Sequence, residues 1–292
     1  MRLWPKKTKV CLVTITSPNF VPGTLVMLYS FLKYNDWFKG DILIYAYDLS
    51  DKDRAYLQRF PNVKFIEPFP EVVERVEAIL KVRPGLAYKK MVFYSLNLFN
   101  LKGYDKYFYI DSDVFFQDSI EELVDMDHTL MCCKDSVSYK GFAKDGDTFE
   151  MVQDIDRGGN LWFRTFNAGI FFLDKALVNR KVYQSLLDLL DPKLYEGLGR
   201  PTTDQFLLNH FFRNDYHILP GIYNYRVNLA EHIKTQEGFS FEDVKIFHFP
   251  GQKNPWMADQ VLRMVLKNKV YWRAFQLWNK LYMEMLEEWS EG

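Results

Sequence analysis

Short apolar runs alternate with amphipathic stretches through the first hundred residues. KVCLVTIT (9–16) is β-branched and apolar and ends at the turn-forming Ser-Pro-Asn of 17–19. Leu25, Leu28, Tyr29 and Leu32 then recur at spacings of three and four, which predicts a helix with one buried face. DILIYAYDL (41–49) reads as a second strand, followed by the polar, helix-like SDKDRAYLQRF (50–60), which Ser50 and Asp53 open with the spacing of a capping box. NVKFIEPF (62–69) gives a third strand that stops at a proline, and a helix over 88–101 leads into YFYIDSDVFF (107–116). That last run is flanked on both sides by aromatic and branched apolar residues, yet it carries Asp111 and Asp113 in its middle.

Strands separated by helices of this length imply right-handed βαβ units, hence an α/β fold with a Rossmann-like, mainly parallel sheet covered on both faces. Ligands of such open sheets lie beyond the carboxyl ends of the strands. Asp111 and Asp113 fall near the end of theirs, so the strand is expected to deliver them to the rim. From 134 to 164 the pattern is irregular, with Gly141, Gly146, Gly158 and Gly159, and so long a loop is expected to shape a site. FNAGIFFLD (166–174), a helix near 182–190, TTDQFLLNHFF (202–212) and a last strand in VKIFHFPG (244–251) follow. The tail over 259–289 is helical. Tyr271, Trp272, Phe275, Trp278, Tyr282 and Trp289 recur along it at a spacing that predicts packing against the domain. With no repeat and no linker, the expected organisation is one domain over 1–258 and a helical extension over 259–292.

Composition narrows the classes. Hydrophobic residues make up 48% and aromatic residues 17% of 292 residues, ample for a large core. The formal charge of −1 provides no global field for a polyanion, so a nucleic-acid partner is not indicated. The basic start MRLWPKKTK reads as a solvated end. Cys132 and Cys133 are adjacent and, with one further cysteine, lack metal-like spacing, which suggests free thiols. No signal-peptide run and no stretch of about 18 apolar residues occurs, so the chain is expected to be soluble and cytoplasmic.

Two carboxylates at i and i+2 of a strand share a side and can converge on one hard cation, Mg²⁺ or Mn²⁺. The spacing alone is common: Asp-x-Asp occurs at 51–53, 111–113, 125–127, 145–147 and 154–156, and only 111–113 follows a strong strand. A strand ending in a turn capped by aspartates is the alternative reading.

Six segments decide between these readings by their order: VTITSPNFVPGTLVMLYSFL (13–32), KMVFYSL (90–96), YIDSDVFF (109–116), FNAGIFFLD (166–174), TDQFLLN (203–209) and HFPGQKNPW (248–256). Together they resemble the glycogenin-like retaining glycosyltransferases, glycosyltransferase family 8, which have the GT-A fold. The resemblance implies a nucleoside diphosphate sugar donor, usually a UDP-sugar, and Mn²⁺ or in its place Mg²⁺. It assigns the metal to Asp111, Asp113 and His248. Thr14, Thr16 and Phe20 correspond to the nucleobase and ribose contacts, with Phe20 where the family often has Tyr. Lys90, Ser112, Gly251 and Lys253 join the donor contacts. Asn167, Ala168 and Gly169 line the donor sugar. Asp204 and Gln205 form the catalytic pair, with Gln205 on the face opposite the leaving group, where an amide stabilises charge better than it attacks. Two departures stand out. Pro201 replaces an acidic residue of glycogenin, and Lys253 comes one place early, with Asn254 directly before Pro255. A nucleotidyltransferase and a non-catalytic sugar-nucleotide or glycan binder are the alternatives. The acceptor hydroxyl compound is not specified, and a homo-oligomer is left open.

Overall fold

A computed structural model describes residues 8–140, 165–196, 203–213, 215–251 and 253–291. Among the described residues ten strands run in chain order: β1 (Val10–Thr16), β2 (Ile42–Ala46), β3 (Val63–Ile66), β4 (Lys106–Ile110), β5 (Val114–Phe116), β6 (Leu130–Lys134), β7 (Phe166–Asp174), β8 (His217–Leu219), β9 (Tyr225–Arg226) and β10 (Ile246–His248). Seven of them form one sheet in the order β3-β2-β1-β4-β7-β6-β8. It is mainly parallel, and β7 is the exception, antiparallel to both β4 and β6. Every residue of β1 is buried, which explains why KVCLVTIT reads as a continuous apolar run rather than an alternation.

Alternation along the central strands divides the core in two. Leu12, Phe108, Ile110 and Phe172 face the layer that contains α1 (Val21–Tyr34) and the C-terminal helix Lys269–Glu291. Val13, Tyr107, Tyr109 and Phe171 face the other layer, built from the helices Pro70–Val82, Arg180–Leu189 and Asp204–Phe212. The C-terminal helix buries Tyr271, Ala274, Trp278, Leu281 and Met285, while Trp272 stays 41% exposed. Tyr29 of α1 donates to Glu288 at 2.6 Å, and Lys33 pairs with Glu284 at 2.7 Å. No helix among the described residues is long and apolar enough to cross a membrane.

Two local expectations are corrected. The strand expected over 107–116 is two strands in two sheets. β4 lies in the large sheet, whereas β5 belongs to a small sheet ordered β5-β10-β9. Three bonds bend the chain between them: the Asp111 N–H donates to Gly169 O at 2.8 Å, the Ser112 hydroxyl to Ile15 O at 2.6 Å, and the Phe249 N–H to Asp113 O at 2.9 Å. Asp111 and Asp113 therefore converge from a turn joining the sheets, not from one face of one strand. The helix expected over 88–101 is a run of 3₁₀ turns, Pro84–Asn100. Residues 93–99 are all buried, which leaves no amphipathic face to enforce the α period. Asn97 also donates back to Tyr94 O at 2.8 Å, in competition with the α ladder. By contrast, the Ser50–Asp53 capping box is present as read.

Candidate active site

The carboxyl ends of β1 and β4 and the turn after β4 form the floor of the site. Ser112, buried in that turn, lies 3.5 Å from the Thr14 hydroxyl, and the Thr16 hydroxyl lies 2.7 Å from that of Thr24. Thr24 donates to Phe20 O at 3.0 Å. The Thr14 hydroxyl thus faces the turn after β4, and that of Thr16 is tied through Thr24 to the loop that carries Phe20. Trp256 closes over that loop: its indole N–H donates to Asn19 O at 2.8 Å and its ring meets Phe20 edge-on at 5.8 Å. A side chain at Gly23 would collide with the Trp256 ring and the Ser112 carbonyl, so glycine lets Trp256 pack back over the first loop.

Pairing of β5 with β10 sets Val114 opposite His248 and so brings Asp113 beside the imidazole. Asp111, Asp113 and His248 each offer one ligand atom, and these atoms lie within 4.8 Å of one another. His248 Nε2 is 3.2 Å from Asp113 Oδ1. Gly169 forms the wall behind them. A β carbon there would stand 2.5 Å from Asp111 Oδ2 and 2.8 Å from His248 Cε1, so only glycine leaves room for the cluster.

Electrostatics make this crowding costly without a cation. Burial pushes the Asp111 carboxyl well above the usual carboxylate range, and the nearby Asp113 and Asp204 push it further; the Tyr109 hydroxyl, 3.1 Å away, acts in the opposite sense. Burial also lifts Asp204 to about 6, against the Ser95 hydroxyl that donates to it at 2.7 Å. Two carboxylates and an imidazole that converge in this way suit a divalent cation, which offsets the crowding of like charge. The donor set and the cradle at Gly169 both fit such an ion.

Positive charge flanks the cluster. Arg226 of β9 is the register partner of His248, so both side chains emerge on one face of the small sheet. Its Nε is buried with no hydrogen-bond partner among the described residues. Burial lowers its pKa, and Asp135 and Asp113 counter that effect. Lys253 is lowered by burial and then by Arg226 and Lys140, with Asp113 opposing.

Side-chain amides line the remaining side. Gln205, in the first turn of Asp204–Phe212, accepts from Asn167 Nδ2 at 3.0 Å and from the Ala168 N–H at 3.3 Å, and donates to Asp135 at 3.3 Å. Thr203 precedes the helix but makes no side-chain capping bond to it.

Most of the expected site residues therefore share one region, but not all in the expected manner. Lys90 is bonded to Glu77 at 3.0 Å and lies over the Tyr47 ring, so its charge is already matched. Gly251 follows β10 with φ of 76°, a left-handed turn, and its carbonyl accepts the Lys253 N–H at 3.0 Å. Pro201 and the loop over 141–164 lie outside the described residues. Asp135, Asn224 and Arg226 belong to the site although no local motif marked them. Asp135 could have been found as a carboxylate directly after a strand; Arg226 becomes visible only through strand pairing, and Asn224 only through its side-chain bonds to Asn167 and His248. A cavity of about 930 Å³ opens at the amino ends of β1 and β4, lined among others by Lys9, Trp37 and Tyr104. It shares no residue with the cluster and gathers no comparable set of groups, so chemistry rather than volume identifies the site.

Comparison with known proteins follows the same outline. Residues 11–260 match the family model described as glycosyl transferase family 8. Glycogenin of Neurospora crassa is 26% identical over 241 residues, which cover 82% of this chain and 30% of that protein. Galactinol synthase 4 of Arabidopsis thaliana is 25% identical over 203 residues, covering 63% of this chain and 57% of that protein. The chain thus spans less than two thirds of the length of these curated relatives. Among solved structures, the galactosyltransferase LgtC in complex with donor and acceptor sugar analogs superposes with a TM-score of 0.70 at 17% identity, covering 94% of this chain and 95% of that one. Mouse xyloside xylosyltransferase 1 gives 0.56 at 15% identity, covering 83% and 98%. At these identities the structural likeness concerns the fold, which is that of the GT-A glycosyltransferases.

Proposed function

The chain belongs to glycosyl transferase family 8, and from that premise we propose that it transfers a hexose or related sugar from a UDP-sugar to an acceptor hydroxyl, with Mn²⁺ or Mg²⁺ and with retention at the anomeric carbon. The observation that carries this reading is the convergence of Asp111, Asp113 and His248 against the bare backbone of Gly169.

These three residues would hold the cation, which when bound supplies positive charge to the diphosphate of the donor. Arg226 and Lys253 add fixed positive charge on the same side and stabilise the departing diphosphate. Asn167, Ala168 and Gly169 offer a close backbone approach and an amide to sugar hydroxyls. Asp204, negative above about pH 6, stabilises developing positive charge at the anomeric carbon. The Gln205 oxygen already accepts two hydrogen bonds, at 3.0 Å and 3.3 Å, so both of its lone-pair directions are engaged. That favours Gln205 as an oriented dipole rather than a nucleophile. Retention then follows from attack on the face the diphosphate leaves, with the departing phosphate oxygen taking the acceptor proton. Free, buried Cys11, Cys132 and Cys133 are compatible with work in a reducing, cytoplasmic setting.

The test is turnover of a panel of UDP-sugars with varied hydroxyl acceptors. UDP release that requires Mn²⁺ or Mg²⁺ and disappears in Asp113→Asn is expected, with the donor's anomeric configuration kept in the product. A folded protein that neither binds nor cleaves any nucleotide sugar in the presence of divalent cations overturns the reading.

A further inference from the structure

We infer that Asn224 is a positioning residue: it fixes which ring nitrogen of His248 carries the proton and ties that imidazole, through Asn167, to Gln205. The inference deepens the functional reading above and rests on it for the ion that His248 would hold.

Side-chain amides can be turned end for end, so their orientation needs an anchor. Two backbone N–H groups supply one. The Gly169 N–H points at Asn167 Oδ1 at 3.2 Å, and the Ala168 N–H at Gln205 Oε1 at 3.3 Å. A backbone N–H only donates, so each of these atoms must be an oxygen. Asn167 then turns Nδ2 to Gln205 Oε1 at 3.0 Å, and Gln205 turns Nε2 to Asp135 at 3.3 Å.

The other direction leads to the imidazole. Asn167 Oδ1 also lies 2.9 Å from the amide of Asn224, and an oxygen there demands the Nδ2 end. Asn224 therefore presents Oδ1 to His248 Nδ1 at 2.7 Å. An amide oxygen only accepts, so Nδ1 carries a proton and Nε2 is the nitrogen left to face the ion. Nε2 is the atom 3.2 Å from Asp113 Oδ1, on the side of the proposed ion. Asn224 and His248 are each 2% exposed, so bulk water is a poor substitute for the amide. One continuous row of hydrogen bonds, Asp135–Gln205–Asn167–Asn224–His248, thus joins the catalytic amide to the proposed metal ligands. Orienting partners behind a metal-bound imidazole typically alter metal affinity or activity by about 10–100-fold when removed.

The experiment uses the full chain and two variants. Metal-free protein with ¹⁵N-labelled histidine is examined by NMR, and Mn²⁺ affinity is measured by EPR with and without UDP. Wild type should show a proton on Nδ1 of His248. Asn224→Leu should mix the two tautomers and weaken Mn²⁺ binding at least tenfold. Asn224→Asp keeps an acceptor for Nδ1–H but cannot donate to Asn167, so Mn²⁺ affinity should stay within a few-fold while turnover falls about tenfold or more. A wild-type ring without a proton on Nδ1, Mn²⁺ affinity unchanged in Asn224→Leu, or full turnover in Asn224→Asp each overturns the inference. Wild type that binds no Mn²⁺ overturns it together with the functional reading, whereas intact wild-type binding beside an indifferent Asn224→Leu overturns the inference alone. Should Asn224→Leu fail to fold, the tautomer of wild type and the turnover of Asn224→Asp still decide.

Discussion

Gly169 and Asp111 are locked together twice: the Asp111 N–H donates to Gly169 O at 2.8 Å, and the space where Gly169 would carry a side chain is filled by Asp111 Oδ2. The backbone bond joins β4 to β7, and the missing side chain lets the carboxylate turn back over the strand that supports it. A single methyl group at position 169 therefore tests the geometry of the cluster directly. In Gly169→Ala, Cβ would meet Asp111 Oδ2 at 2.5 Å and His248 Cε1 at 2.8 Å, and both ligands must move. Mn²⁺-dependent UDP binding should weaken by about tenfold or more, the size expected when metal ligands are displaced. Calorimetry measures it, with the melting temperature as a check on folding. Unchanged affinity would mean that the ion is held elsewhere.

Much of this architecture was legible because apolar runs report burial directly. β1 is buried along its whole length and β7 spans Phe166–Asp174, so both were found from their runs of apolar residues. What sequence could not show was the break in 107–116. Val114, Phe115 and Phe116 are as apolar as Tyr107, Phe108 and Tyr109, and nothing local says that they pair with β10 in another sheet. The same limit hid Arg226 and Asn224. Each acquires its role from a neighbour in β10 or β7, through contacts that neither periodicity nor composition encodes. Lys90 shows a partner that sequence also hid: its place in a motif marked it as a donor contact, and Glu77, 13 positions earlier, bonds it at 3.0 Å.

Arg226 should act on phosphate rather than on base or sugar. Its Nε lacks a partner among the described residues and its side chain emerges beside His248, while Asp113 and Asp135 attract its charge. Arg226→Met keeps the apolar length of the side chain and deletes the guanidinium. We expect a loss of about tenfold in affinity for UDP with Mn²⁺, in line with a charge-assisted contact of about 1.5–3 kcal/mol, and little change for uridine. Titration of both ligands against both proteins checks it. Equal losses for UDP and uridine would point instead to general damage around Asp113.

Gln205→Ala separates binding from chemistry. The amide collects Asn167 and Ala168 and leans on Asp135, so its dipole is held before any substrate arrives. Loss of such a preorganised group typically costs about 10²–10³ in turnover. The proposed diphosphate contacts, Arg226, Lys253 and the Asp111–Asp113–His248 cluster, do not include Gln205, so the Michaelis constant for the donor should move only a few-fold. Steady-state kinetics gives both numbers. A rise in the Michaelis constant that accounts for the whole loss would reduce Gln205 to a binding residue.

The ionisation of Asp204 leaves a signature in stability. Burial lifts its carboxyl from 3.8 to about 6, so the folded protein holds this proton more tightly than the unfolded chain does. The stabilising contribution of the protonated group is therefore complete below about pH 4 and is lost as pH rises through about 6. Above that range the ionised, buried group costs the fold up to about 3 kcal/mol. Asp204→Asn cannot ionise, and its side-chain oxygen can still accept from the Ser95 hydroxyl. Relative to wild type, this variant should gain roughly 1 kcal/mol of stability between pH 5 and pH 7, while its turnover collapses. Urea denaturation of both metal-free proteins at pH 5, 6 and 7 reads the difference, because a bound cation would itself favour the ionised form. A gap between the two proteins that stays constant over that range would place the proton on another group and leave Asp204 ionised throughout.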